Sequence, residues 1–231
     1  MEISGSRIRL AGATGVIGGK LADALSDRGA NLFLAGRDPG ALEAVGERLE
    51  SGTVLLDYSD PDSVSAAVEA AVSDLGGLDA VVIATGTVAF GEARDLDPEV
   101  LTRLIEANAT GPMHLISDSL QRLEPGGSIV AITAVVAEFP TAGMAAYSAS
   151  KASLAAFLSA LRREVRRQFT VLEVSPGHME TGFSGRALAG EPPELPDGED
   201  VDELVRAIVE GMADGRREIR YDIRSRELQV K

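Results

Sequence analysis

The chain contains no cysteine. That excludes a disulfide framework, thiolate chemistry and any zinc site built on cysteine. It holds only two histidines, His114 and His178, too few for a histidine-rich metal site, and we expect no metal. No apolar run comes near the length of a membrane span, and the first residues lack the basic-then-apolar layout of a secretory signal. The expectation is a soluble cytoplasmic protein with no membrane partner. Positive charge is scarce: 22 Lys and Arg face 36 Asp and Glu, a net charge of −14. That balance argues against a general nucleic-acid partner. It does not argue against an anionic cofactor, because a phosphate site needs only local positive potential.

What is present is an alternation. The chain has 231 residues, 45% of them hydrophobic, enough for one sizeable core. Short apolar runs read as strands at 8–11, 31–35, 53–56, 80–84, 128–133 and 170–175, with a further strand at 218–221. Helical patterns lie between them, at 39–49, 61–75, 98–122, over a segment carrying Tyr147 and Lys151 that runs to about 167, and at 201–213. The helix over 98–122 is expected to bend around Gly111-Pro112. Apolar strands separated by helices imply a parallel sheet covered on both faces: a single α/β domain, residues 1–231, with a doubly wound, Rossmann-like sheet. No linker or repeat divides the chain. The loop-like stretch 182–198, rich in Gly, Pro and Glu, follows the sixth strand at the carboxyl edge, where ligands bind in such sheets. It reads as a substrate-side lid, with an ordinary surface loop as the alternative.

Two segments carry chemistry. The first strand runs directly into Gly12-Ala13-Thr14-Gly15-Val16-Ile17-Gly18 and then a helical pattern. Strand, glycine-rich turn and helix in that order form the context of a dinucleotide fingerprint. Gly12 permits the tight turn, Gly15 a close approach to pyrophosphate, and Gly18 the packing of helix on strand. The helix N-terminus offers free N–H groups and a positive dipole end to phosphate. The second segment is Tyr147-Ser148-Ala149-Ser150-Lys151. A phenol and an ammonium four residues apart share one face of a helix. The positive charge is expected to lower the tyrosine pKa and give a proton donor and acceptor usable near neutral pH.

With both segments in place, the chain resembles the short-chain dehydrogenase/reductase family over nearly its whole length. The resemblance implies a catalytic group of Tyr147, Lys151 and Asn108, the last in Asn108-Ala109-Thr110-Gly111-Pro112. It implies a cofactor site formed by Gly12, Thr14, Gly15, Ile17, Gly18, Arg37, Asp57, Tyr58, Ala84, Thr85 and Gly86, with Tyr147 and Lys151 at the reacting end. Pro176, Gly177, Met179 and Thr181 would hold the nicotinamide end. Asp57, in Leu55-Leu56-Asp57-Tyr58-Ser59-Asp60, looks like the family's adenine-binding aspartate. The glycine spacing is closer to the family's extended members than to its commoner pattern.

Two departures bear on activity. Ile83-Ala84-Thr85-Gly86 stands where the family usually has Asn-Asn-Ala-Gly. Ala134 stands thirteen residues before Tyr147, where the family places a serine that hydrogen-bonds the substrate carbonyl. Thr133 is adjacent, but neighbours on a strand point to opposite faces, and only a twist at the strand end would bring it inward. A lost donor of this kind costs on the order of 100-fold to 1,000-fold in rate.

Cofactor preference turns on Gly36-Arg37-Asp38 at the end of the second strand. An acid here binds the ribose 2′-hydroxyl of NAD, and an arginine accommodates the 2′-phosphate of NADP. Arg37 is in place and Asp38 lies one residue late, which favours NADP(H) over NAD(H).

The expected function is therefore an NADP(H)-dependent carbonyl reductase or alcohol dehydrogenase. Its partners would be a small or medium carbonyl or alcohol substrate and, by resemblance, a second copy of the chain in a homodimer or homotetramer. The alternative is a cofactor-binding protein with weak or lost catalysis. His114 reads as a helix or interface residue and His178 as a loop residue beside the nicotinamide end. The basic run 162–167 suits a helix C-terminus rather than nucleic acid.

Overall fold

A computed structural model describes all residues, 1–231. Eight strands form one sheet: β1 (Arg7–Ala11), β2 (Asn31–Gly36), β3 (Gly52–Leu55), β4 (Leu78–Ile83), β5 (Leu123–Ile132), β6 (Thr170–Ser175), β7 (Glu218–Asp222) and β8 (Glu227–Val230). Their spatial order is β3-β2-β1-β4-β5-β6-β7-β8. The first seven pair in parallel, and β8 pairs antiparallel with β7. The helices are α1 (Val16–Asp27), α2 (Pro39–Leu49), α3 (Pro61–Leu75), α4 (Pro98–Ile105), α5 (Gly111–Leu120), α6 (Ala145–Glu164) and α7 (Val201–Ala213).

Alternation along the strands builds two cores. Ile8, Leu10, Ala80, Val82, Val130 and Ile132 point to one face, where they meet Leu21 and Leu25 of α1, Leu42 of α2, and Leu204 and Ile208 of α7. Ala11, Val81, Ile83, Ile129 and Ala131 point to the other, against Val64 and Val68 of α3, Leu115 of α5, and Leu154 and Leu158 of α6. Burial on both faces is the reason these strands read as nearly continuous apolar runs. The chain order reverses between β1 and β4, and the cleft above their carboxyl ends is where such sheets take ligands.

Four of the seven helix starts share one local device, and α1, α5 and α6 lack it. Asp38, Asp60 and Asp97 cap α2, α3 and α4, each accepting a backbone N–H and each followed by proline. Asp200 caps α7 in the same way. Carboxylate caps satisfy orphan N–H groups, and proline suits the first helical position. α1 instead starts at Gly15 with no side-chain cap. Its free N–H groups face the β1–β4 cleft.

The long helix is interrupted immediately before Gly111-Pro112. Between α4 and α5, residues Glu106–Thr110 form a π turn. Pro112 has no N–H to offer the carbonyl of Asn108 and its ring crowds that carbonyl. The chain widens there, and the Gly111 N–H reaches back to the Glu106 carbonyl. Gly111 itself lies flat against the Tyr58 ring, so that a β-carbon there would overlap it. β8 is an element the sequence reading did not contain. Asp222 accepts from the N–H groups of Arg224 and Ser225, and Arg226 takes φ 58, which closes the hairpin.

Candidate active site

The site is built from the carboxyl edge of the sheet, the π turn and α6. Helical spacing places Tyr147 and Lys151 on the buried side of α6. The π turn carries Asn108, fully buried, toward them. Asn108 Oδ1 accepts from the Thr87 N–H at 3.0 Å, and Nδ2 donates to the Thr87 carbonyl at 2.8 Å and to Ser150 Oγ at 3.0 Å. Ser150 Oγ donates in turn to the Tyr147 carbonyl at 2.7 Å. The Asn108 amide is thereby fixed in orientation and ties α6 to the segment after β4. Lys151 Nζ donates to the Ile132 carbonyl at 3.0 Å. A β-carbon on Gly86 would lie 3.1 Å from Asn108 Oδ1 and 3.2 Å from Lys151 Nζ. Glycine at 86 therefore leaves a small polar recess with two functional groups at its wall.

Electrostatics here depart from the sequence reading. Burial pushes the Tyr147 phenol above its ordinary value, and Lys151 does not offset this. Burial also brings the Lys151 ammonium down to about 8. In this state the lysine, rather than the tyrosine, is the group poised near neutral pH. The physical cause is common to both: each charged form loses solvation inside the fold.

The surroundings of Ala134 are apolar. Ala134 packs in one cluster with Tyr147, Val88, Phe90, Leu104 and Met144. Thr133 does not turn toward them. Its hydroxyl is buried on the other side of the strand, 3.2 Å from a Glu173 carboxylate oxygen and 3.2 Å from the Val174 carbonyl. Phe183, from the stretch 182–198, lies over Tyr147 with ring centroids 6.4 Å apart. That stretch is stitched down: the Leu188 N–H donates to the Val88 carbonyl at 2.8 Å, and the Phe90 N–H to the Ala189 carbonyl at 2.9 Å. A bridge between Met179 and Glu199 closes its base. Beside it, an opening runs between Phe90, Gly91, Leu96, Val100, Gly143 and Ala146.

The remaining residues line the cleft toward the sheet edge. Gly12 has φ +90, and a β-carbon there would come within 2.8 Å of the Ala84 backbone. A β-carbon on Gly18 would overlap the Gly12 carbonyl oxygen. Gly15, at φ −81, has no such backbone need. Ile17 packs half-buried against the core, and Thr14 lies over Gly36. The Tyr58 hydroxyl is 3.2 Å from Thr85 Oγ1, which joins two of the expected cofactor residues. Asp57 accepts from the backbone N–H and hydroxyl of Ser59, which hold its carboxyl below the ordinary range, with a smaller contribution from Arg37. Arg37 is exposed. Asp38 is engaged as the cap of α2, accepting from the Ala41 N–H at 2.8 Å. The Pro176 carbonyl accepts from Val135, Gly177 lies against the Tyr221 ring, and the Thr181 N–H donates to the Met179 carbonyl. His178 sits 3.6 Å from Glu180, and His114 is exposed on α5. Along α6, Leu158 and Leu161 are buried in the chain's own core, whereas Ala156 faces out.

Sequence reasoning missed Ser150 and the backbone of Thr87, the two groups that orient Asn108. Ser150 lies inside the Tyr147–Lys151 run, where its position three residues after Tyr147 on one helix face was the available signal. It also missed Arg9, a fully buried arginine on β1.

A family model for short chain dehydrogenase matches residues 7–191. The bovine protein named dehydrogenase/reductase SDR family member 7B is 29% identical over 196 residues, which are 79% of this chain and 60% of the relative. The chain thus spans less than two thirds of that relative's length. Among solved structures, a short chain dehydrogenase from Burkholderia cenocepacia in complex with NADP superposes with a TM-score of 0.81 at 24% identity, covering 92% of each chain. One from Burkholderia phymatum in complex with NAD superposes at 0.86 and 19% identity, covering 94% of this chain and 89% of the other. The glycine turn, the uncapped helix start and the recess at Gly86 are the features a dinucleotide would require, and the residues present fit one. The chain belongs to the short-chain dehydrogenase family.

Proposed function

We propose that this protein is an NADPH-preferring oxidoreductase that interconverts a carbonyl compound and its alcohol. The observation that carries the reading is that Lys151 and Asn108 meet at Gly86, with Tyr147 one turn before Lys151 on the same buried face of α6, at the carboxyl edge where the chain order reverses between β1 and β4. A scaffold has no need to bury an ammonium beside a fixed amide, since unpaired buried charge is costly.

The α1 N-terminus and the turn at Gly12–Gly15 would receive the pyrophosphate. Asp57 and Tyr58 would flank the adenine, and Arg37 would pair with a 2′-phosphate through its guanidinium. A bound nicotinamide supplies the hydride that adds to the carbonyl carbon, or takes it up in the reverse direction. Tyr147 would hand its phenolic proton to the carbonyl oxygen in reduction and recover one in oxidation. Its raised pKa keeps it protonated, as a donor requires. Lys151, at about 8, is the group able to return that proton near neutral pH. Asn108, fixed by Thr87 and Ser150, would hold the polar recess open rather than exchange protons itself.

A second reading, a cofactor-binding protein with weak catalysis, is favoured by one fact: Ala134 offers no donor and Thr133 is committed to Glu173. NADPH consumption across a carbonyl panel separates the two. Turnover that is lost by a factor of about 100 or more in Tyr147→Phe supports the enzyme. No turnover by wild type, with activity appearing in Ala134→Ser, supports the second reading. Arg37→Ala should weaken NADPH binding far more than NADH binding; equal losses would remove the NADP preference.

A further inference from the structure

The protein supplies one donor where a developing oxyanion is ordinarily held by two, and its surroundings say where the second comes from. Around Tyr147 the wall is apolar: Val88, Phe90, Ala134, Met144 and Phe183. The methyl of Ala134 stands at the position a hydroxyl would serve. Thr133, the chain neighbour of Ala134, turns to the opposite side of the strand, where its hydroxyl lies against Glu173 and the Val174 carbonyl. Swinging it inward would give up its buried contact with the Glu173 carboxylate, which costs about 1–3 kcal/mol. An apolar wall also disfavours a loosely held water, which needs two to four polar partners.

Resting on the reading of the site as a carbonyl reductase, we infer that the substrate carries the second donor itself. The class is an apolar ketone whose carbonyl oxygen already accepts a hydrogen bond from its own neighbouring hydroxyl, such as an ortho-hydroxyaryl ketone or a β-hydroxyenone. In the reduction, the carbonyl carbon gains the hydride of a dihydronicotinamide and the oxygen gains the Tyr147 proton. The internal hydroxyl stabilises the charge on that oxygen in between. It travels with the substrate, so it needs no polar group in the wall. An internally bonded hydroxyl is also already satisfied, so it enters an apolar chamber at little desolvation cost. The aromatic faces of Phe90 and Phe183 suit a flat, conjugated ketone.

The test pairs two near-isosteric ketones, 2′-hydroxyacetophenone and 2′-methylacetophenone, with two enzymes, wild type and Ala134→Ser. Rates are measured with NADPH at saturating cofactor. Comparing the hydroxyl-to-methyl ratio between the two enzymes cancels the intrinsic reactivity of the ketones. The expected result is a ratio at least tenfold larger in wild type than in Ala134→Ser. The difference should reside in kcat rather than KM, because the donor acts on the transition state. An equal ratio in the two enzymes overturns the inference and leaves the reductase reading standing. Failure of both enzymes on both ketones, with NADPH binding intact by fluorescence, overturns the reductase reading and this inference with it.

Discussion

Replacing Arg9 by methionine should make this protein more stable. Arg9 lies in the middle of β1, in register with Phe33 of β2 and Val81 of β4. It shares the face of Ala11, against α3 and α5. The side chain is fully buried, and none of its three guanidinium nitrogens meets an acceptor of the protein. Burial pulls its pKa from the ordinary arginine value down to about 10, opposed only by the phenol of Tyr58. At about 1.4 kcal/mol for each tenfold change, that corresponds to a cost on the order of 3 kcal/mol for keeping the charge inside. Methionine retains an unbranched apolar stem of similar reach and removes the charge. Removing buried ionic groups in favour of apolar ones is often stabilising by about 1–4 kcal/mol. For a chain of this size, a gain of about 2 kcal/mol raises Tm by roughly 4–8 °C.

The pH dependence follows from the same shift. A folded pKa near 10, below the unfolded value, means that the unfolded chain binds more protons between the two. The cost is therefore full below pH 10 and is relieved as pH rises above it. Urea denaturation of wild type and Arg9→Met should show a constant gap from pH 7 to about 9 and a shrinking one above 10. Arg9→Ala serves as a control, because it leaves a cavity and should fall about 2–3 kcal/mol below Arg9→Met. A methionine variant less stable than wild type by more than about 1 kcal/mol would refute the reasoning, since it would mean that the guanidinium has a partner in solution.

Lys151 should show the same sign nearer to neutral pH. Its ammonium is held at about 8, so Lys151→Met should gain stability over wild type at pH 7, with the gap closing toward pH 10 in parallel denaturation curves. NADPH affinity of wild type should fall as pH rises through 8, and the variant should lack that inflection in a fluorescence titration. Gly18→Ala would drive a methyl into the Gly12 carbonyl; its NADPH dissociation constant should rise at least tenfold, and Tm should drop with it. Gly86→Ala would crowd Asn108 and Lys151 without touching the core; turnover should fall about 10- to 100-fold while Tm changes by less than about 3 °C.

Much of the architecture was legible because it depends on local pattern. Strands buried on both faces leave uninterrupted apolar runs, and Asp38-Pro39, Asp60-Pro61 and Asp97-Pro98 announce three helix starts in two residues each. The absence of such a cap at Gly15 was equally readable. β8 escaped notice because a short, charged edge strand has no apolar face to betray it, and its turn depends on Asp222 reaching two later N–H groups. The interruption falls at Glu106–Thr110, just before Gly111-Pro112, because proline acts on the carbonyl four residues before it.

By itself, the sequence determined the family and the parallel sheet, since these rest on local patterns repeated in order along the chain, and it named Tyr147, Lys151 and Asn108 as the candidate catalytic group. Only the tertiary structure decided how those groups behave. Spacing on a helix says that Lys151 lies near Tyr147, but solvation depends on everything packed around them, and burial raised the phenol and lowered the ammonium. Likewise, the Ala134 substitution was visible in the sequence, but whether Thr133 could take its place depended on Glu173, forty residues away in the chain and one strand over in the sheet. Pairing between distant segments decides which face a hydroxyl serves, and no local pattern encodes it.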